Sequence, residues 1–494
     1  MKKWIAVICA VTLGFSATGC GQTKEVSVKQ VLSEKPAGEI TVSCYDTMVY
    51  KDFLKKAAKS FEKSNPGTKI KVEAIGVMPE VKESESDGVS VSVVTTGDDE
   101  QERLDYISKI NTELMSGKGA DVLAMDILPY YKYADSGQLE DLQTYMKEDS
   151  SFDISDYRKT VLDAMKYHGG LYVMPLDYMF DYIAYDSTFF TEKEKQSLQG
   201  SSKFTYKQLI QSGKIPFQRA NISTAGQIRM FRLTESQMFR KLLRLDYGNY
   251  IDIENRKVNF TDGSFVKLLE SVREYGEKGY LEADSESGQL TIEDFEKIKQ
   301  EKLLFKIKGS YSLLSDVLRS TGKKDFFSFD TSGGDENNDK ILGVLANENG
   351  DINLDYMQAY GINSNSKNKT LAWAFIKFLM SENMQSSTEF SALPINNKAL
   401  KEKVKMDISD ILGISSDKGS ENQNKELTET QRKVYDYYLK SVNDFSDELN
   451  HYTIQDDTVK EMINTEVAYY FDGSKKATEV ASTLQEKIQL YLNE

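Results

Sequence analysis

Along Glu39-Ile40-Thr41-Val42-Ser43-Cys44-Tyr45, apolar side chains fall at every second position, the period of a strand with one face buried. Phe53, Leu54, Ala57, Ala58 and Phe61 then recur three and four apart until Asn65-Pro66-Gly67 interrupts them, so the spacing predicts a helix. Lys69-Ile70-Lys71-Val72-Glu73-Ala74 returns to alternation. A strand, helix and strand joined by a crossover of this length pair in parallel, which predicts an α/β layer. From Pro79 to Glu102 the chain turns rich in Ser, Asp, Glu and Gly and reads as a solvated insertion. Leu104, Ile107, Ile110 and Leu114 mark a further helix, closed by Gly117 and Gly119. The apolar run Ala120-Asp121-Val122-Leu123-Ala124-Met125, ending at Asp126, suits a buried strand.

The N-terminus carries a different pattern. Lys2 and Lys3 precede an apolar stretch from Trp4 to Phe15, followed by Ser16-Ala17-Thr18-Gly19-Cys20. This reads as a secretory leader over residues 1–19. As a helix the stretch is about 22 Å long at ~1.5 Å per residue, short of a ~30 Å hydrocarbon core. Small residues at 17 and 19 suit a peptidase cleft, and the thiol of Cys20 can be acylated. The block resembles the bacterial lipobox, with Ala17 where Leu is usual; a plain signal peptide with an incidental cysteine is the alternative. Residues 20–38 are polar and unpatterned and read as a flexible tether. No later segment approaches the roughly 20 apolar residues of a membrane span.

At 494 residues the chain exceeds what one core usually supports, so two lobes are expected. The formal charge of -15 argues against polyanion binding, nucleic acid included. With Cys9 lost in the leader and Cys20 acylated, Cys44 has no disulfide partner and reads as a small buried hydrophobe. His168 and His451 are the only histidines, so a zinc site or a Ser-His-Asp arrangement is hard to build, and no phosphate-cradling glycine loop is present. No cofactor or metal is expected. Asp177 and Asp181 flank Tyr178 and Phe180, which keeps a two-carboxylate glycosidase open as an alternative, although acids are too numerous to discriminate.

Five blocks carry a family resemblance. After the strand and helix at 40–61, the turn Ala134-Asp135-Ser136-Gly137-Gln138-Leu139-Glu140-Asp141-Leu142 is the first specific one. Tyr167-His168-Gly169-Gly170-Leu171-Tyr172-Val173-Met174-Pro175 leads into Ile183-Ala184-Tyr185-Asp186. Ala359-Tyr360-Gly361-Ile362 precedes Leu371-Ala372-Trp373-Ala374-Phe375-Ile376-Lys377-Phe378-Leu379 and the Leu393-Pro394 turn, and a helix from Gly473 to Leu492 closes the chain. In this order the blocks resemble the bacterial extracellular solute-binding proteins of the large carbohydrate-type family; residues 186–340 match only as α/β texture. The resemblance implies a two-lobed, periplasmic-binding-protein-like α/β fold of type II, with discontinuous lobes joined by hinge strands. It places lobe one at 38–182 and 345–410, and lobe two at 183–344 and 411–494.

It also implies a function: a monomeric, lipid-anchored subunit of an ABC importer on the extracellular face of the membrane. Such a subunit captures a small polar solute, a mono- or oligosaccharide before a peptide, and hands it to a membrane permease without bond chemistry. A non-transport lipoprotein of the same fold is the main alternative. Ligands of open α/β sheets lie at the carboxyl ends of strands, which selects Tyr45, Asp46, Asp126, Asp177 and Tyr178. Leu303 to Tyr311 resembles the family strand whose final aromatic, following Gly309, faces the ligand, which adds Tyr311. Carboxylates suit sugar hydroxyls and tyrosine rings suit the apolar sugar face. Trp373 keeps helical spacing with Phe375, Ile376 and Leu379 and reads as core.

Overall fold

The computed structural model describes residues 35–45, 50–76, 80–86, 89–95, 100–224, 228–282, 302–320, 338–388, 390, 392–411 and 427–493. Residues 1–34, which include the expected leader, Cys20 and most of the expected tether, and Asp46 lie outside them. Two main sheets organise these residues. In the first, β1 (Gly38–Tyr45) runs parallel to β2 (Thr68–Ile75), with Ile40 opposite Ile70 and Val42 opposite Val72. The alternation therefore does what it predicts: Ile40, Val42 and Cys44 all enter the core. On the other side of β1 lies β5 (Val122–Ala124), also parallel, followed by β16 (Ala359–Ile362) and β6 (Met174–Pro175), both antiparallel to their neighbours.

Helices Tyr50–Ser64 and Lys369–Leu379 pack together against this sheet, with Phe61 between Phe375 and Phe378 at 5.5 and 5.4 Å. Trp373 is fully buried there, flanked by Tyr145 and Phe152, and its indole N–H donates to Asp149 at 2.9 Å. Lys377 and the Ser151 side chain also meet Asp149, and despite the cost of burial these bonds pull its carboxyl down to about 2.

The second sheet is built around β7 (Asp177–Asp186). Along its length β7 pairs in turn with β17 (Leu393–Pro394) and β15 (Asn353–Asp355), then with β13 (Phe305–Gly309) and β14 (Asp339–Leu345) along its two edges. β8 (Lys203–Phe204) extends it beside β14, and β18 (His451–Tyr452) beside β15. Two short pairs lie apart, β9 (Ile228–Arg229) with β12 (Lys302–Leu303) and β10 (Ile251–Asp252) with β11 (Lys257–Val258). Strands β15 and β17, from the 345–410 stretch, thus join the second sheet before and after β16 joins the first. This is the two-lobed α/β fold of type II periplasmic binding proteins.

The chain crosses between sheets at residue 176 and again between 355 and 359. Leu176 donates to the Gln358 carbonyl at 2.8 Å and accepts from Ile395 at 3.0 Å. Asp177 joins the same crossing: its two oxygens accept the amides of Met357 at 2.6 Å and Gln358 at 3.1 Å.

One stretch departs from its sequence reading. Within the solvated insertion of 79–102, Glu80–Ser86 (β3) and Val89–Thr95 (β4) form a continuous antiparallel ladder, from Glu80 opposite Thr95 to Ser86 opposite Val89. The period-two run of Val89, Val91 and Val93, after Asp87-Gly88, carries that signal.

Candidate functional site

The two sheets meet along a seam lined by tyrosine. From the first sheet's side, the helix Tyr130–Asp135 follows β5 and presents Tyr130, with Asp126 just before it. From the second come Tyr356, directly after β15, and Tyr452 on β18. Tyr356 and Tyr452 lie 5.4 Å apart, Tyr130 and Tyr452 6.4 Å, and the Tyr356 hydroxyl donates to the Met125 carbonyl at 3.1 Å across the seam. Inside this closed arrangement the Asp126 Oδ1 and the Tyr130 hydroxyl are shielded from solvent and have no hydrogen-bond partner. Burial pushes the Asp126 carboxyl up to about 7, against the opposing pull of its own amide and that of Ile127. A polar group sealed away unpaired costs about 1–3 kcal/mol, so these atoms mark where a polar guest would be stabilised.

Next to the seam, on the second sheet, lies a hollow of about 180 Å³. Its wall is Asp181 on β7, Asp355 on β15, and Lys241 and Arg244 one turn apart on the helix Glu235–Leu245. Lys241 meets Asp181 at 3.4 Å and Arg244 pairs with Asp355, so both cations are balanced by a carboxylate. Burial raises the Asp355 carboxyl, with Arg244 pulling the other way. The hollow adjoins the seam along the chain: Asp355 precedes Tyr356, and Thr453, next to Tyr452, donates to the Arg244 carbonyl at 3.5 Å.

Tyr311 stands over the hollow, 81% exposed, two residues after the end of β13. Its ring folds back over Gly309: a Cβ built there would lie 2.3 Å from the ring's Cε1. The missing side chain is what lets an exposed aromatic lie flat against the strand end.

The residues selected by the strand-end rule separate here. Asp126 and Tyr311 sit at the seam and the hollow. Asp177 and Tyr178 do not face open space: both are fully buried, Asp177 binding two backbone amides and Tyr178 meeting the Ser446 hydroxyl at 3.0 Å. The reason is topological, since β7 does not end after the hairpin but continues for ten residues through the second sheet. With both oxygens engaged, Asp177 is also unsuited to pair with Asp181 as a glycosidic acid and base. Tyr45 is buried at the end of β1, 5.7 Å from Tyr106. Asp46 lies outside the described residues. Tyr130, Tyr356, Tyr452, Arg244 and Asp355 were not selected from sequence. Tyr130 shortly follows β5 and Tyr356 directly follows β15, so the strand-end rule, applied to every strand, reaches both.

Known proteins share this fold. Residues 47–386 match the family model described as bacterial extracellular solute-binding protein. No curated protein matches the sequence. Among solved structures, a periplasmic oligogalacturonide-binding protein from Yersinia enterocolitica superposes with a TM-score of 0.58 at 14% identity, covering 92% of this chain and 99% of that one. An extracellular solute-binding protein family 1 member from Alicyclobacillus acidocaldarius gives 0.57 at 16% identity, covering 93% and 100%. An ABC substrate-binding protein from Listeria monocytogenes, in complex with cycloalternan, gives 0.53 at 16% identity, covering 92% and 99%.

Proposed function

Because this chain belongs to the bacterial extracellular solute-binding proteins, we propose that it is the receptor subunit of an ABC importer, closing two lobes over a small polar solute. Lobe one takes the first-sheet parts of 38–182 and 345–410, and lobe two takes 183–344, 411–494 and the second-sheet strands β7, β15 and β17. The solute is a mono- or oligosaccharide. It lies between Asp126 and Tyr130 on one side and Tyr356, Tyr452, Asp355, Arg244 and Tyr311 on the other. The observation that supports this most is the pairing of unsatisfied polar atoms at Asp126 and Tyr130 with a neighbouring hollow of balanced charge and exposed aromatic surface. Sugar hydroxyls both donate and accept, so they satisfy a carboxylate and a guanidinium together, while a tyrosine ring covers the apolar face.

Residues 1–19 are the leader, and Cys20 carries the lipid that holds the receptor at the outer face of the membrane. Tethering keeps the closed form near its permease at high effective concentration. The solute leaves chemically unchanged, its binding free energy being used to shift the balance between open and closed forms.

A thermal-shift screen against sugar and peptide libraries tests the reading. A ligand at 100 times its dissociation constant adds about 2.7 kcal/mol of stability. Stabilisation by a sugar, with no product formed, is expected. Stabilisation by peptides alone overturns the sugar assignment, and turnover of an oligosaccharide overturns the receptor assignment.

A further inference from the structure

The seam is also held from its solvent side, by a carboxylate outside the solute site. Asp456 precedes the helix Asp457–Phe471 on the second sheet's side, with its side chain 4% exposed. Its Oδ1 caps that helix, accepting the Val459 amide at 3.1 Å. Its Oδ2 takes the Tyr131 hydroxyl and the Lys132 ammonium, the latter at 2.8 Å, both from the helix Tyr130–Asp135 on the first sheet's side. Tyr491, on the closing helix Ala477–Asn493, donates to the same oxygen at 3.1 Å and accepts from Lys132 at 2.9 Å. One residue on, Asp457 meets Arg103 of the helix Glu100–Met115 at 2.9 Å.

Helix capping needs one oxygen and one amide. Two of its other donors, Tyr131 and Lys132, reach this shielded carboxylate from across the seam and would leave it if the sheets moved apart, while Tyr491 would stay with it. Burial pushes the Asp456 carboxyl up, but Lys132 and Tyr131 outweigh it and hold it below the ordinary range, so it stays ionised at neutral pH. Closure without a guest leaves the Asp126 Oδ1 and the Tyr130 hydroxyl unpaired, which favours opening. An opposing contact outside the solute site keeps the two forms close enough in free energy for a solute to decide between them.

We infer that Asp456 is a latch: a positioning residue that holds the lobes shut through Lys132 and Tyr131 and thereby sets solute affinity without touching the solute. This rests on the two-lobed receptor reading above, and its test is independent of which solute binds. Nitroxide labels on cysteines at exposed Thr144 and Asn255, one on each side of the seam, report lobe separation by pulsed electron resonance, with Cys9→Ser and Cys20→Ser and with Cys44 buried.

Asp456→Asn keeps an oxygen for the Val459 amide, and Lys132→Met removes a half-exposed ammonium. Each is expected to lower the closed-to-open ratio of the unliganded protein about tenfold, as loss of a charged hydrogen bond implies. The double variant is expected to go no further than either single one. Distances unchanged from wild type in both variants overturn the latch. A lowered melting temperature with unchanged distances also overturns it, because it reduces Asp456 to a helix cap. Failure of the ligand screen leaves this measurement intact, so the two readings fail separately.

Discussion

Replacing Asp177 by alanine tests whether this residue serves the crossing between the sheets or the solute. The structure assigns it to the crossing, where its carboxylate receives the Met357 and Gln358 amides at 2.6 and 3.1 Å in a fully buried position. Removing it leaves the Gln358 amide without this acceptor in a place water does not reach. A buried group deprived of its partner costs about 1–3 kcal/mol, and bonds to charged groups lie at the upper end, so Asp177→Ala is expected to cost about 2–4 kcal/mol. Asp177→Asn retains one acceptor oxygen and turns its N–H₂ toward the other amide, which places the loss at about 1–3 kcal/mol.

The urea midpoint of each variant measures the cost. Hydrogen exchange of a peptide spanning 355–360 locates it, and faster exchange is expected there before anywhere else in the first sheet. Had Asp177 faced the solute, both variants would lose affinity at unchanged stability. An alanine variant within 0.5 kcal/mol of wild type would refute the reasoning.

Three further outcomes are expected. Tyr311→Ala lowers solute affinity about tenfold in titration calorimetry at unchanged melting temperature, because the ring is exposed, and Gly309→Ala, which displaces that ring, goes the same way. Asp126 has a folded pKa raised to about 7 from an ordinary value of 3.8, so its contribution to stability is complete below pH 4 and is lost as the pH rises through 7. Melting temperatures followed across that window are expected to decline, and Asp126→Asn to flatten the decline; an equally steep profile in the variant contradicts the assignment. Trp373 is sealed in the first sheet's core against Asp149, so tryptophan emission stays fixed when a solute binds, and Trp373→Phe costs about 1–3 kcal/mol in urea unfolding through loss of the indole's bond to the carboxylate, which Lys377 still holds.

The period of two in Ile40, Val42 and Cys44 and the helical spacing of Phe53 to Phe61 settle β1 and its crossover helix locally, because each element buries one face and the pattern names that face. The same holds for Trp373 with Phe375, Ile376 and Leu379. The β3–β4 ladder was legible too, in Val89, Val91 and Val93 after Asp87-Gly88, but the acidic composition around it masked the alternation. Ordered blocks were enough to identify the family, since each records a local turn, strand or helix.

Only the tertiary structure decided which strand ends are buried and which lie along the seam. Asp177 and Tyr178 occupy a position that looks terminal in sequence, yet β7 runs on and buries them, while Tyr356 becomes terminal only because β15 stops beside Tyr452. Asp456 and Lys132 stand more than 300 positions apart in the chain and meet at 2.8 Å. Periodicity reports which face of one element avoids water. Which elements face each other is set by contacts between distant segments, and those leave no local trace in the order of residues.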